Sequence, residues 1–261
     1  MWDTLIVTPL TNVLLWIYQI FGSNFGLAII LFTILIRLVT HPLMASQIKS
    51  SQAMQEMQKS KKWQDIQKKY KGDKEKLAQE QMKLYKELGV SPFSSCLPTI
   101  IQIPIIFGLY QSITLALAAS PMQLLTLTRS VYPIFDAPAL LPLNSRFLWM
   151  NLGQPERIFL PFLGDFGLPL LAIIVALTTY VQTKLTMPPP ANPGDQSAMM
   201  GKMMGMYMPF LLGYFALTFA SGLAIYFIAS NLAGILQYAL LGKVDWRNLL
   251  PASKKGVVKS K

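Results

Sequence analysis

A single cation inside a long apolar segment is the feature that most constrains this chain. Arg37 is the one permanently charged residue between Phe25 and Met44. A helix over this segment would be about 30 Å long, close to the thickness of a bilayer's hydrocarbon core. Because a cation there costs about 2.5–3.5 kcal/mol on insertion scales, Arg37 should face protein, water or a partner. Snorkelling to the headgroups or a structural salt bridge are the alternatives. Since no other candidate span carries Asp or Glu, we expect the anion to come from outside.

Composition and charge support a membrane protein with defined sidedness. The chain is 52% hydrophobic and only 13% charged, with net charge +11 and mean hydropathy +0.41. Most basic residues lie in segments 45–91 and 242–261, which the positive-inside rule places in the cytoplasm. An excess of basic residues can also indicate binding to an RNA surface such as the ribosome. One cysteine and one histidine leave no disulfide and no Cys/His metal cluster, and we expect no metal and no cofactor.

The hydrophobic pattern predicts an all-α integral membrane protein. We expect five transmembrane helices, an N-terminal interfacial amphipathic helix and a cytoplasmic helical hairpin. The predicted segments are 1–24 as the external interfacial helix, 25–44 as the first span, 45–91 as the basic cytoplasmic hairpin, 92–117 as the second span, 118–166 as an external loop, 167–187 as the third span, 188–204 as a cytoplasmic loop, 205–241 as the fourth and fifth spans, and 242–261 as a basic cytoplasmic tail. The N-terminus would lie outside. Whether residues 1–22 span the membrane or lie on it stays open.

Three local signals refine this organisation. Asp73 follows a glycine and precedes a periodic segment, so it is a candidate N-cap for the second helix of the hairpin. Pro9 interrupts the periodicity of the N-terminal helix. The uncharged segment from Met206 to Leu241 is too long for one span, and Ser221-Gly222 supplies a break. Two spans of about 25 Å would follow, which predicts local thinning of the bilayer.

Polar side chains recur in the predicted spans. Thr33, Arg37 and His41 are four residues apart and therefore lie on one helix face. Other predicted spans add Gln102, Gln182, Ser230, Asn231 and Gln237. These groups could form interhelical hydrogen bonds or line a hydrated cavity. Nothing resembles a P-loop, a nucleophile elbow or a catalytic triad, so we expect no enzyme and no catalytic residue.

At three segments the chain resembles the YidC/Oxa/Alb family of membrane protein insertases. They are Ile36–Leu43, Leu97–Tyr110 and Ser221–Asn231, and the basic hairpin between the first two spans also fits. The resemblance implies a groove that is open to the cytoplasm and to lipid, with Arg37 as its arginine and Tyr226 as an aromatic client contact. With the polar groups above, the candidate substrate-binding residues are Arg37, Thr33, Gln102, Gln182, Tyr226, Phe227, Ser230 and Asn231.

The resemblance implies a bacterial plasma membrane protein that receives nascent membrane proteins and releases them laterally without nucleotide hydrolysis, alone or with the Sec translocase. The large external domain of Gram-negative members is absent from this sequence, as in compact Gram-positive-like members. Anionic lipids and the ribosome, through the basic tail and hairpin, are further expected partners, and DNA is not. A small transporter or channel that uses Arg37 as an anion site is the alternative, although no paired interrupted helices support it. A purely structural scaffold is a third hypothesis.

Overall fold

The structure, a computed structural model, describes residues 1–70, 72–89, 97–117, 120–133, 143–159, 167–186, 196–242, 244 and 246. Most of these residues are helical. The helices are α1 (Thr8–Ile20), α2 (Phe25–Val39), α3 (His41–Lys59), α4 (Lys61–Lys69), α5 (Lys74–Glu87), α6 (Leu97–Ala116), α7 (Pro121–Ser130), α8 (Leu170–Thr186), α9 (Gln196–Thr218) and α10 (Ser221–Leu240). Four two-residue strands, β1 (Arg146–Phe147), β2 (Met150–Asn151), β3 (Ile158–Phe159) and β4 (Gly167–Leu168), form two antiparallel pairs. Of the predicted cytoplasmic loop 188–204, residues 196–204 form the start of α9, and residues 188–195 lie outside the described residues, as does most of the predicted basic tail.

The N-terminal helix accommodates its proline without breaking. A π-helical turn, Asp3–Val7, leads directly into α1, and Pro9 lies in the first turn of α1. Proline lacks an N–H and crowds the preceding turn, and the wider π-turn relieves that crowding. The interruption expected at Pro9 is therefore a change of helical pitch. The Ser112 hydroxyl of α6 donates to the Val7 carbonyl, so the widened turn is held against a neighbouring helix.

The first apolar segment is divided into two helices, which differs from the single helix expected over 25–44. α2 ends at Val39 and α3 begins at His41, with Thr40 between them. Pro42 explains the division, because proline suits the first turn of a helix and disfavours helical geometry just before itself. Arg37 consequently lies in the last turn of α2.

The main core is built around α10. This helix packs against α2 on one side and α8 on the other, and α9 packs along α8. Close approach of α8 and α9 needs a small residue, because a Cβ at Gly213 would lie 3.3 Å from that of Ala176. Large side chains that are almost fully buried fill the space between the helices: Leu14, Leu15, Phe25, Ile29, Phe32, Leu109, Ile113, Leu127, Leu152, Val175 and Tyr226.

A second, smaller core lies between α4 and α5. Trp63 is buried against Met57 and Leu84, and its ring meets that of Tyr85 edge to face at 5.8 Å. Burial raises the pKa of the Tyr85 phenol above its usual value. Asp73 caps α5 by accepting a hydrogen bond from the Lys76 N–H at 3.1 Å, which confirms the predicted N-cap. Where one hairpin helix was expected before residue 71, the structure has α3 and α4, divided at Ser60.

Residues 143–156, the end-cap segment, close one end of the main helices. The carbonyl of Leu152 accepts from Gly222 N–H at 3.0 Å, and that of Gln154 accepts from both the N–H and the hydroxyl of Ser221. The Glu156 carboxylate accepts from Leu171 N–H at 3.1 Å. The end-cap segment therefore satisfies first-turn donors of α8 and α10, the groups that a helix cannot satisfy internally.

Length and apolar composition identify few described helices that could cross a bilayer unaided. Ser221–Leu240 passes this test alone. Two bent pairs pass it jointly, Asp3–Ile20 with Phe25–Val39 at 120° and Gln102–Ala116 with Pro121–Ser130 at 114°. Counting each bent pair as one span gives up to three, and Leu170–Thr186 and Gly205–Thr218 are shorter apolar helices.

Candidate functional site

The guanidinium of Arg37 is held against the middle of α10. Its Nη2 atom donates to the carbonyl of Ser230 at 2.9 Å and to the Ser230 hydroxyl at 2.6 Å. Ser230 is the tenth residue of the 20 in α10, so the side chain reaches across to a neighbouring helix. In the described part of the chain, no carboxylate forms an ion pair with Arg37. The half-buried cation therefore has neutral partners.

A tyrosine lies one turn before Ser230 on the same helix. Tyr226 is only 2% exposed, and its hydroxyl accepts a hydrogen bond from the Gln102 amide of α6. Tyr226 and Ser230 are four residues apart, so they share one face of α10. The structure thus brings residues of α2, α6 and α10 together around the Arg37 side chain.

Gln182 reaches the same face of α10 through a notch at Gly234. A Cβ atom built on Gly234 would lie 2.5 Å from Gln182 Nε2 and 3.6 Å from Arg37 Nη2. Only glycine leaves room for the amide in this position. Sequence reasoning missed Gly234, although it continues the four-residue spacing of Tyr226 and Ser230 and could have been found from that spacing.

The other candidate residues lie outside this cluster. Thr33 is buried and its hydroxyl donates to the Ile29 carbonyl of its own helix at 2.7 Å. The amide of Asn231 donates to the hydroxyls of Thr178 and Thr179 in α8, at 3.1 and 2.9 Å, and these two threonines were not predicted. Phe227 is buried, with its ring 5.7 Å from that of Tyr226.

The chemistry available at this cluster is recognition of an anion or a polar group. Arginine carries five N–H donors in a planar fork that suits carboxylates. Both hydrogen bonds described for the Arg37 side chain use Nη2, so Nη1 and Nε remain for a ligand within the described structure. Gln182, half-buried beside it, adds an amide that can donate or accept. Nothing in this set of residues is arranged as a nucleophile with a base.

The comparisons with known proteins agree on one family. The family model described as 60Kd inner membrane protein matches residues 16–246. Membrane protein insertase YidC 2 of Bacillus anthracis is 32% identical over 98% of this chain and 85% of that protein. Membrane protein insertase MisCA of Bacillus subtilis is also 32% identical, over 98% of this chain and 84% of its own length.

A solved structure is similar in fold as well as in sequence. The crystal structure of an active YidC insertase with its first transmembrane domain resolved aligns with a TM-score of 0.55 and 26% identity. The alignment covers 92% of this chain and 46% of that one, so the chain spans just under half of the solved protein's length. The family match over residues 16–246 and the similar relatives agree with the resemblance carried by Ile36–Leu43, Leu97–Tyr110 and Ser221–Asn231. The chain belongs to the 60Kd inner membrane protein family, and the relatives described above are named YidC and MisCA membrane protein insertases.

Proposed function

We propose that this chain receives nascent membrane proteins in a groove at Arg37 and releases them laterally into the bilayer without nucleotide hydrolysis. The observation that carries this proposal is the half-buried guanidinium of Arg37, which extends from α2 to the middle of α10. Its described hydrogen-bond partner, Ser230, is neutral. A buried charge without an internal counter-charge is costly, and chains keep such groups for function. An acidic or polar client tail would supply the missing partner.

The proposed membrane arrangement uses five helices as spans: α2, α6, α8, α9 and α10. The N-terminal helix α1 lies outside, on the membrane surface, and the basic hairpin and tail lie in the cytoplasm. Several of these helices are short for a bilayer of ordinary thickness, α8 having 17 residues and α2 having 15. Short spans thin the bilayer around them, which shortens the distance that a client must cross.

Electrostatic attraction and hydrophobic partitioning together would drive insertion. Two unit charges 4 Å apart attract by about 1 kcal/mol in water and about 4 kcal/mol at an effective dielectric constant of 20. A partly desolvated Arg37 therefore holds a client carboxylate more strongly than an exposed arginine does. The client's apolar segment then leaves for lipid because its transfer out of water is favourable. The cycle needs no bound nucleotide.

The exposed lysines of α4 and α5 fit contacts with anionic partners. Lys62, Lys76 and Lys83 have side chains at least 66% exposed, and the ion pairs that they form with neighbouring carboxylates are solvated and weak. We propose anionic lipid headgroups and ribosomal RNA as their partners, and cooperation with the Sec translocase for some clients.

The first experiment removes the charge at Arg37. Purified protein in liposomes should lose insertion of a single-span client with an acidic N-terminal tail when Arg37→Ala is introduced. Arg37→Lys should retain more activity, because charge matters more here than the shape of the guanidinium. Arg129→Ala, at an exposed position on α7, is the matched control and should behave as wild type. Full insertion by Arg37→Ala would refute charge attraction, and anion flux that this variant abolishes would favour a transporter.

A second experiment maps client contacts. Photocrosslinking probes at Thr33, Gln182 and Tyr226 should capture a stalled single-span client, and a probe at Leu177 should not, since Leu177 is on α8 but 59% exposed on its outer face. Thr33 and Tyr226 are nearly fully buried, so crosslinks there require the helices to separate around the client. Crosslinks at Leu177 alone would place the client on the outer surface and contradict a groove.

A further inference from the structure

The tip of the first β-hairpin presents two large apolar side chains. β1 and β2 pair with Phe147 opposite Met150, which leaves Leu148 and Trp149 as a two-residue turn. Leu148 is 74% exposed and Trp149 is 55% exposed. Turns of this length normally carry Asn, Asp or Gly, and two bulky apolar residues at an exposed tip are unusual.

The backbone at this tip is strained. Leu148 has φ +53°, in the left-handed region, where a Cβ atom crowds the following carbonyl. Glycine or asparagine would adopt this conformation at lower cost. The exposed leucine side chain gains little packing within the described structure to compensate for the strain. A compensating apolar contact with something outside the chain would account for its presence.

Neighbouring contacts place the tip level with the first turns of three helices. The ring of Phe147 covers Gly26, the second residue of α2, where an added Cβ would lie 2.2 Å from the ring. The indole N–H of Trp149 donates to Glu156, whose other oxygen accepts from Leu171 at the start of α8. Leu152, which directly follows β2, accepts a hydrogen bond from Gly222 at the start of α10.

The position of the hairpin tip beside these first turns indicates what it contacts. On the proposed function, on which this step rests, α2, α8 and α10 all begin at the external membrane surface. Residues level with their first turns then lie among the phospholipid headgroups, where tryptophan is enriched because its ring is apolar and its N–H is polar. Here the Trp149 N–H is bonded to Glu156, and the side chain is still 55% exposed, so much of the ring remains for contact with lipid. Arg146, exposed on β1, adds a cation that suits the lipid phosphates.

We propose that the Leu148–Trp149 tip is an anchor in the outer leaflet of the bilayer. The leucine side chain and the exposed part of the indole enter the boundary between headgroups and acyl chains, and Arg146 contacts phosphate. The anchor fixes the end-cap segment, and through it the starts of α2, α8 and α10, at a set depth in the membrane. Its partner is a phospholipid surface.

Tryptophan fluorescence tests the anchor directly. A variant that keeps Trp149 alone, with the other four tryptophans replaced by phenylalanine, is reconstituted into vesicles of phosphatidylcholine and phosphatidylglycerol. Its emission should be blue-shifted, quenched by lipids brominated near the top of the acyl chain, and resistant to aqueous iodide. A matched variant that keeps only Trp63, 1% exposed in the α4–α5 core, should be insensitive to the brominated lipids.

Substitution at Leu148 separates anchoring from folding. Leu148→Gly relieves the strained backbone, so the protein should fold at least as stably while Trp149 shifts towards the red and loses lipid quenching. If removing the other tryptophans unfolds the chain, an environment-sensitive dye on Leu148→Cys, in a Cys96→Ser background, replaces the indole signal.

Two results would overturn the anchor. Quenching of Trp149 by iodide but not by brominated lipid would place the tip in water, and protection from both quenchers would indicate a protein contact. Insertion of the acidic-tailed client is measured in the same vesicles. Active protein with a water-exposed Trp149 would refute the anchor alone, whereas inactive, folded protein with a lipid-quenched Trp149 would refute the proposed function alone.

Discussion

Substitution of Gly234 by alanine tests the polar cluster with a single methyl group. The new Cβ would lie 2.5 Å from Gln182 Nε2, and ordinary contacts begin at 3.4 Å, so the amide must retreat by about 1 Å. The Arg37 guanidinium, 3.6 Å from that Cβ, can stay in place. The substitution therefore displaces Gln182 from Arg37 without removing either side chain.

The expected magnitude is that of one hydrogen bond between the Gln182 amide and a client. A net hydrogen bond is worth about 0.5–1.5 kcal/mol, which corresponds to a roughly 2- to 13-fold slower insertion if it acts on the rate-limiting state. The free energy of unfolding should increase slightly or stay unchanged. Alanine gains about 0.5–1 kcal/mol over glycine within a helix, which offsets the strain of displacing a flexible side chain.

The assay is insertion of the acidic-tailed client into liposomes, with thermal unfolding in detergent measured on the same preparations. Gly205→Ala is the matched control, because a Cβ there lies in ordinary contact with Thr183, at 3.8 Å, and meets no other described residue within 4 Å. Gln182→Ala and the double variant Gly234→Ala/Gln182→Ala complete a double-mutant cycle. Since the truncated side chain no longer meets the new methyl group, the double variant should be no slower than Gln182→Ala alone.

Two outcomes would refute this reasoning. If Gly234→Ala inserted the client at the wild-type rate, the position of the Gln182 amide would be irrelevant to function. If the two single effects simply added in the double variant, the methyl group would act by some route other than a clash with Gln182.

Three further predictions concern the supporting contacts. Glu156→Ala should lower the free energy of unfolding by about 1–3 kcal/mol, since it leaves the buried Leu171 N–H and the Trp149 indole N–H without their acceptor, and an unchanged melting temperature would contradict this role. Asn12→Ala loses bonds to the carbonyls of Thr8 and Ser130 and to Tyr132 N–H, so amide exchange should accelerate at residues 130–132. Exchange in α10 is the internal control and should not change. Trp63→Ala should cost about 3–5 kcal/mol and unfold α4 and α5 locally. Simultaneous loss of the main core would show that the two cores are not independent.

Local sequence signals predicted the local features well. The N-cap at Asp73 is present, and the uncharged segment breaks at Phe219-Ala220, just before Ser221. Both follow from residue types whose preferences act within a few positions. The isolation of Arg37 was also predictable, because the absence of carboxylates from the other apolar segments is visible in the sequence.

Features that depend on contacts between distant segments were not predicted. The notch at Gly234 exists because a side chain from α8 meets it; the four-residue spacing from Tyr226 and Ser230 places Gly234 on that face of α10 but does not report the contact. The end-cap segment lies in a part of the sequence of mixed polarity, yet it supplies hydrogen-bond acceptors to helix donors that include Ser221, 67 residues after Gln154 in the chain. The division of α2 from α3 at Thr40 depends on Pro42, which lies inside the single span expected over 25–44.

The end-cap segment also sets how the helix bundle can deform. Its bonds to Leu171, Ser221 and Gly222 pin α8 and α10 at one end, and no comparable strap joins their opposite ends within the described residues. A helix that is held only at its first turn can tilt about that turn. With a length of about 30 Å for α10, a tilt of about 10° moves its free end by about 5 Å, roughly the spacing of one helical turn. Such a tilt between α8 and α10 would have to break the bonds of Asn231 to Thr178 and Thr179, and it would open a side-chain-sized gap near Gln182 and Gly234.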